Sequence, residues 1–385
     1  MKKKIFSFII ISLLFGLLLF LLRPSFLESP YVVKDAETVF FPSSPFTGMI
    51  NYVVDKFVNN MSISVVITSI VFGVLSMFLI LLFIDSLTTS RLKKIMLVVV
   101  FITLSSIKAF SFYLRPIFLT ETSKVHYSSH ASNFIFSALL YMILAYFYLK
   151  GKISVYWIYF AFVLSIFFYA QTVILLPSLI FIYLLASKVE VFNYTNIKKA
   201  ILNNNFLKFI GFCVLIAAIF FALSDLFIYS QFKEHIHQRG HAVVGDYLGG
   251  SDARIFTNII KENHYPCCDS VFSLDYLKFY FLLMAVISFH IIIISLFFIK
   301  KEIRKNAYLN FLLISLLYYL AWFFFYNPET IVKEMWLLYA PATFFGFMLY
   351  AYTCKFQETK KVFKISLIVI ALNIISFIAL LKLIN

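Results

Sequence analysis

The chain has 385 residues, a mean hydropathy of +0.93, 62% hydrophobic residues and only 13% charged ones. That balance excludes an ordinary soluble domain, and 49 Phe with 24 Tyr exclude a disordered or fibrous chain. The net charge of +15 is arranged along the chain as membrane topology arranges it, not as a nucleic-acid footprint, and no nucleic-acid partner is expected.

The expected class is all-α. One polytopic integral-membrane domain over 1–385 would carry about eleven transmembrane helices, with amphipathic interfacial helices in its large outer loops. A β-barrel would read as alternating segments of about ten residues, whereas these apolar runs reach about twenty. The spans are expected near 5–22, 61–84, 95–113, 132–149, 153–170, 171–187, 207–227, 277–299, 307–326, 335–353 and 364–383. The first, in MKKKIFSFIIISLLFGLLLFLLRPS, has the basic and apolar regions of a signal sequence. No small-x-small cleavage site follows, so it reads as an uncleaved membrane helix.

With the N-terminus in the cytoplasm, the inner loops are SRLKK, KGK, the stretch from Lys188 to Asn205, KKEIRK and KFQETKKVFK. All are basic, which is the positive-inside asymmetry, and they would meet anionic inner-leaflet lipid. The expected location is therefore a bacterial cytoplasmic (inner) membrane, crossed many times. The inner loops are short and contain neither GxxxxGK[ST] nor GxGxxG, so nucleotide chemistry on that face has no support.

Function is expected on the outer face, in loops at about 23–60, 114–131, 228–276 and 327–334, where His126, His130, His235, His237, His241 and His264 also fall. The first loop carries Asp35 and Glu37, flanked by apolar residues that would hold them near the bilayer surface. A carboxylate partly desolvated there is a better general base; the alternative is a solvated Asp-x-Glu. FTGMINYVVDKFVNN follows, with Met49, Ile50, Val53, Val54, Phe57 and Val58 at helical spacing and Asn51, Asp55 and Lys56 opposite. An interfacial helix from about Gly48 to Asn59 is expected.

Around the third and fourth spans, Lys108 falls inside an apolar stretch, and Arg115, Glu121, Lys124, His126 and His130 follow. A cationic cluster at the membrane surface suits a phosphate or pyrophosphate, or else anchors the chain to lipid headgroups. The longest loop offers Arg239 and Arg254 as anion-binding candidates, with an amphipathic face at Ile255, Phe256, Ile259 and Ile260. Its His235, His237 and His241 have metal-like spacing but equally fit a solvated helix face, and no metal ligands are assigned. The cysteines are scattered; only Cys267 and Cys268 adjoin, in a polar loop. Last, FFFYNPETIVKEMWLLYAPATFF places Lys333 in a short outer loop, with Pro341 expected to interrupt the tenth span.

These pieces resemble the GT-C superfamily of integral-membrane glycosyltransferases, the polyprenyl-phosphate-sugar-dependent members in particular. The matching features are the acidic loop after the first span and the flat-lying helix behind it. Others are Glu121 through HASNFIFSALLYMILAYFYLKGK, the threonine–proline segment YAQTVILLPSLIFIYLL, and KEMWLLYAPATFFGFMLYAY. Family members usually have adjacent acids in the first loop, separated here by Ala36, and an Arg before the late proline helix, which here is replaced by Lys333 or by nothing.

The resemblance implies a polyprenyl-phosphate-linked sugar donor, a glycan or lipid acceptor, and surrounding membrane lipids as partners. Asp35, or Glu37, would be the base. Cationic residues would stabilise the departing phosphate. No cofactor is required, although a divalent cation could assist. Two other classes fit in part. A polysaccharide repeat-unit (O-antigen) polymerase would use Arg239, Gly240 and Arg254. A lipid-linked substrate transporter or flippase would need ionisable residues deep in several spans, where Lys108, Lys208, Asp225 and His290 are the candidates.

Overall fold

The computed structural model describes residues 2–21, 45–59, 61–104, 124–168, 175–187, 194–203, 205–219, 288–299, 306–325 and 331–384, with Thr172, Ala222 and Met284. Among the described residues the fold is all-helical, without strands. In chain order the helices are α1 (Lys2–Leu21), α2 (Pro45–Val58), α3 (Met61–Leu87), α4 (Arg91–Thr103), α5 (Lys124–Leu149) and α6 (Tyr156–Phe168). Then come α7 (Leu176–Ala186), α8 (Tyr194–Ile201), α9 (Phe289–Phe297), α10 (Ala307–Phe325), α11 (Ile331–Cys354) and α12 (Thr359–Ile384). A further helical stretch, Asn205–Ile219, follows α8. Two segments, Lys4–Leu21 and Val66–Leu87, are long and apolar enough to cross a membrane by length and composition.

Local chemistry sets several boundaries. Ser90 caps α4, its hydroxyl accepting the Lys93 N–H, so SRLKK forms the first turn of a helix and not a loop. Gly151, at φ 68°, ends α5: its N–H donates to Tyr148 O at 2.7 Å and the Lys152 N–H to Phe147 O at 2.9 Å. That pair of bonds is a Schellman closure, which needs the left-handed conformation glycine adopts without strain. Asn59 takes the same conformation (φ 52°) after α2, turning the chain into α3 within two residues.

Two expectations need correction. Pro341 does not interrupt its helix: α11 runs unbroken from Ile331 to Cys354. Proline removes one backbone bond, a loss a helix sustains when its flanks are held by packing, and residues 342–354 are almost wholly buried. Lys333 accordingly belongs to the first turn of a helix and not to a loop.

The core centres on α5 and α11. α5 packs on α3, α6 and α11; α11 packs also on α9 and α10; α12 lies on α4, and α1 on α3. Tyr141, Phe311, Phe344, Phe345 and Tyr350 are among the largest fully buried side chains. Gly16 allows α1 to approach α3 closely, because a Cβ there would collide with Val74. The outward sides of α1, the 205–219 stretch and α12 are apolar and exposed, with Phe6, Leu13, Leu17, Val214, Leu215, Ile368 and Ile375 as examples.

Polar groups gather at one end of the bundle, where α3, α5, α9 and α11 finish and α4, α10 and α12 begin. It is called the lysine end below, and the opposite end is the loop end.

Candidate functional site

Asp35, Glu37, Lys108, Arg115, Glu121, Arg239 and Arg254 lie outside the described residues. His126 and His130 fall on the first two turns of α5, and Lys333 on the first turn of α11. These two helices pack together and run the same way, with Tyr146 and Tyr352 meeting at the lysine end, ring centroids 6.1 Å apart. A helix rises roughly 1.5 Å per residue, so His130 is about 24 Å and Lys333 about 29 Å from that contact along their axes. The fold therefore brings His126, His130 and Lys333 to the loop end together.

α2 sits at the same end. Phe46 is buried against Phe167 and Phe168, at 5.3 and 5.9 Å between ring centroids, and Phe168 meets Phe72 at 5.5 Å. This satellite cluster fastens α2 to α3, α5 and α6. The faces divide differently from the expected pattern. Asn51, expected on the polar side, is fully buried, whereas Phe57 is 87% exposed and Val53 44%. Phe46 and Asn51 turn inward with the partly buried Met49 and Ile50, leaving Val53 and Phe57 as an apolar ridge facing out.

The threonine–proline segment has a structural account. Pro177 occupies the first turn of α7, where its missing N–H costs nothing. Thr172 is buried and its hydroxyl donates to Ser165 O at 3.1 Å, tying the turn back to the end of α6. Ser178 donates to Leu175 O at 2.7 Å and pairs with the Tyr141 hydroxyl at 2.9 Å, linking α7 to α5.

Of the ionisable residues expected in or beside spans, Lys208 is exposed on the 205–219 stretch, and Lys108 and Asp225 lie outside the described residues. His290 is half-buried and part of a chain through three helices. Its Nε2 lies 2.8 Å from Asn373 Oδ1, and Asn373 Nδ2 donates to Thr103 Oγ1 at 3.1 Å. Because the Asn373 amide nitrogen is committed to Thr103, its oxygen accepts, and His290 Nε2 carries the donated proton. Among the described residues no group of three or more His, Cys, Asp or Glu side chains could hold a metal.

The lysine end holds the constellation that residue patterns did not single out. Lys93 is buried (7% exposed), and its ammonium donates to Gln357 O at 2.5 Å, Cys354 O at 3.3 Å and Lys355 O at 3.5 Å. One cation thus gathers the Cys354 carbonyl at the end of α11 and two carbonyls of the connection to α12, where the helix dipole also favours positive charge. Asp85 pairs with Lys94 and lies 3.6 Å from Lys4, joining α1, α3 and α4. Tyr146, Tyr308 and Tyr352 form a ring cluster with centroids 4.8 to 6.1 Å apart. Their hydroxyls donate to Ser86 O, Met142 O and Asn306 Oδ1 at 3.3, 3.2 and 2.9 Å. Asn306 also caps α10, accepting the Tyr308 N–H at 3.0 Å. Tyrosine beside a terminating lysine is the membrane-interface signature, a signal present in YFYLK, KNAY and YAYTCK.

Comparison with protein-family models, curated proteins and solved structures returned no match.

Proposed function

We propose that this chain is a membrane glycosyltransferase of GT-C-like layout. It would move a sugar from a polyprenyl-phosphate donor to a glycan or lipid acceptor on the extracytoplasmic face, in cell-surface glycan synthesis. In this reading about eleven spans cross a bacterial cytoplasmic membrane with the lysine end inside. The apolar exposed flanks of α1, the 205–219 stretch and α12 support it, since water would not tolerate so continuous an apolar surface.

The observation that carries the reading is the contrast between the ends. At the lysine end, short connections are fastened by ion pairs and caps. In this reading the polar loops that bear Asp35 and Glu37 would lie at the other end, where α5 begins with His126 and His130 and α11 with Lys333. Asp35, or Glu37 in its place, would take the proton of the acceptor hydroxyl as its oxygen attacks the anomeric carbon. The bond from that carbon to the phosphate oxygen breaks, and polyprenyl phosphate leaves. Lys108, Arg115, Arg239, Arg254 and Lys333, with His126 and His130, are the candidates for stabilising its charge, and Glu121 for orienting them. The outward ridge of Val53 and Phe57 suits α2 to lie in the interface as the floor of this site.

Deleting the gene and profiling surface glycans tests the reading. Unmodified acceptor is the expected result. A single repeat unit left on the lipid core would favour the polymerase, for which Arg239 and Arg254 in the longest loop argue. Failure to accumulate a substrate, with glycans unchanged, would favour transport.

A further inference from the structure

The fold brings two lysines distant in sequence side by side at the lysine end. Lys150 follows the last residue of α5, on the Schellman turn that Gly151 closes, and Lys355 follows the last residue of α11. The Lys150 ammonium stands 6.0 Å from the Tyr146 ring centroid, and that of Lys355 5.8 Å from Tyr352 and 5.4 Å from Phe356. Since Tyr146 and Tyr352 are in ring contact, the two ammonium groups share one aromatic platform.

Lysines at helix ends commonly serve to cap carbonyls. A cation already stands at the α11 terminus: Lys93 bonds the Cys354 carbonyl and two carbonyls of the connection that follows. Nor does a carboxylate neutralise the pair: among the described residues the ion pairs are Lys4 and Lys94 with Asp85. Two cations held together on an aromatic surface repel one another, and an oxyanion between them would remove that repulsion. Consistent with this, burial, and then the charge of Lys150, hold Lys355 below the usual lysine range.

We propose that Lys150 and Lys355, on the Tyr146–Tyr352 platform, form a binding site for a phosphate oxyanion. The phosphate would be that of an anionic lipid headgroup or of a soluble phosphate compound. The site is separate from the loop-end chemistry and stands or falls independently of it.

The test uses the full-length protein in detergent micelles, its melting temperature followed with added phosphatidylglycerol, phosphatidylcholine or inorganic phosphate. Phosphatidylglycerol, and not phosphatidylcholine, should raise the melting temperature of the wild type. The double substitution Lys150→Gln/Lys355→Gln should bind phosphatidylglycerol about thirtyfold more weakly, the loss expected for two surface ammonium contacts. The charge-conserving Lys150→Arg/Lys355→Arg should retain it. A shift produced by inorganic phosphate, and lost in the Gln variant, would support the site with a soluble ligand as its source. The absence of any shift in the wild type, or an equal shift in the Gln variant, would overturn the proposal. Should the Gln variant fail to fold, counting lipid adducts by native mass spectrometry decides. Wild type and Arg variant are then expected to retain phosphatidylglycerol in preference to phosphatidylcholine, and equal retention of the two lipids overturns the site.

Discussion

The lysine end and the loop end are made by the same helices, yet they are organised by different means. At the lysine end the described connections are short: three residues separate α3 from α4 and four separate α11 from α12. Helix termini are therefore forced together, and caps, carbonyl-binding lysine, tyrosine hydroxyls and ion pairs satisfy them. At the loop end α2 is held by apolar ring contacts and joins α3 within two residues, while twenty residues separate α4 from α5 and five separate α10 from α11. In the proposed reading the lysine end is the fixed scaffold and the loop end carries the chemistry.

That contrast can be broken from either side. The largest effect is expected at the loop end. Asp35→Asn should lower glycan transfer by at least about a hundredfold, the typical worth of a general base, with expression and membrane insertion intact. Unchanged transfer would remove Asp35 and point to Glu37, tested by Glu37→Gln in the same assay.

At the lysine end, Lys93→Met should lower stability by about 2 kcal/mol, by loss of charged hydrogen bonds to the α11 terminus. Transfer should persist in the folded fraction. Chemical or thermal unfolding reads the first quantity, and specific activity the second.

Gly16→Ala should cost about 1–3 kcal/mol by forcing α1 off Val74, detectable as weaker cross-linking between cysteines introduced in α1 and α3. Asn373→Leu, which unlinks His290 from Thr103, should cost only about 0.6 kcal/mol, the mean for hydrogen bonds between membrane helices.

The smallest effect concerns Lys355. Its lowered pKa means that its protonated form opposes folding, and the opposition fades as pH rises through the folded-state value. Lys355→Met should therefore be slightly more stable than wild type at neutral pH in zwitterionic detergent. The difference should vanish on going to alkaline pH, as followed by melting temperature.

Much of the architecture was legible from residues alone. The length of the apolar runs, the absence of two-residue alternation and the basic termini of each run imply helices with a common polarity, because hydrogen bonding and burial act locally at those scales. The residue spacing places an amphipathic helix over about 48–59, within a few residues of α2, and the threonine–proline segment stands out in the sequence, although as family likeness. Its physical reasons, Pro177 in a first turn and Thr172 reaching Ser165, depend on how α6 returns to α7.

Boundaries and partners were less legible. Ser90 converted a loop into a helix start, and packing around residues 342–354 carried α11 through Pro341. The hydropathic pattern puts Asn51 on the polar side of α2, but it is buried where α2 packs on α3, α5 and α6. Of the proposed loop-end residues, the sequence supplied every identity, and the described structure adds that His126 and His130 lie in the first two turns of α5 and Lys333 in the first turn of α11.

Composition and charge order alone determined that the chain is helical, apolar and basic at one set of helix ends. Those properties are sums over neighbours in sequence. Only the tertiary structure decided that Lys93 would end on α11, that Tyr146, Tyr308 and Tyr352 would meet, and that Lys150 would stand beside Lys355. Each such contact joins residues about 40 to 260 positions apart, and it forms only when whole helices pack, since no local propensity encodes which terminus a long side chain will reach.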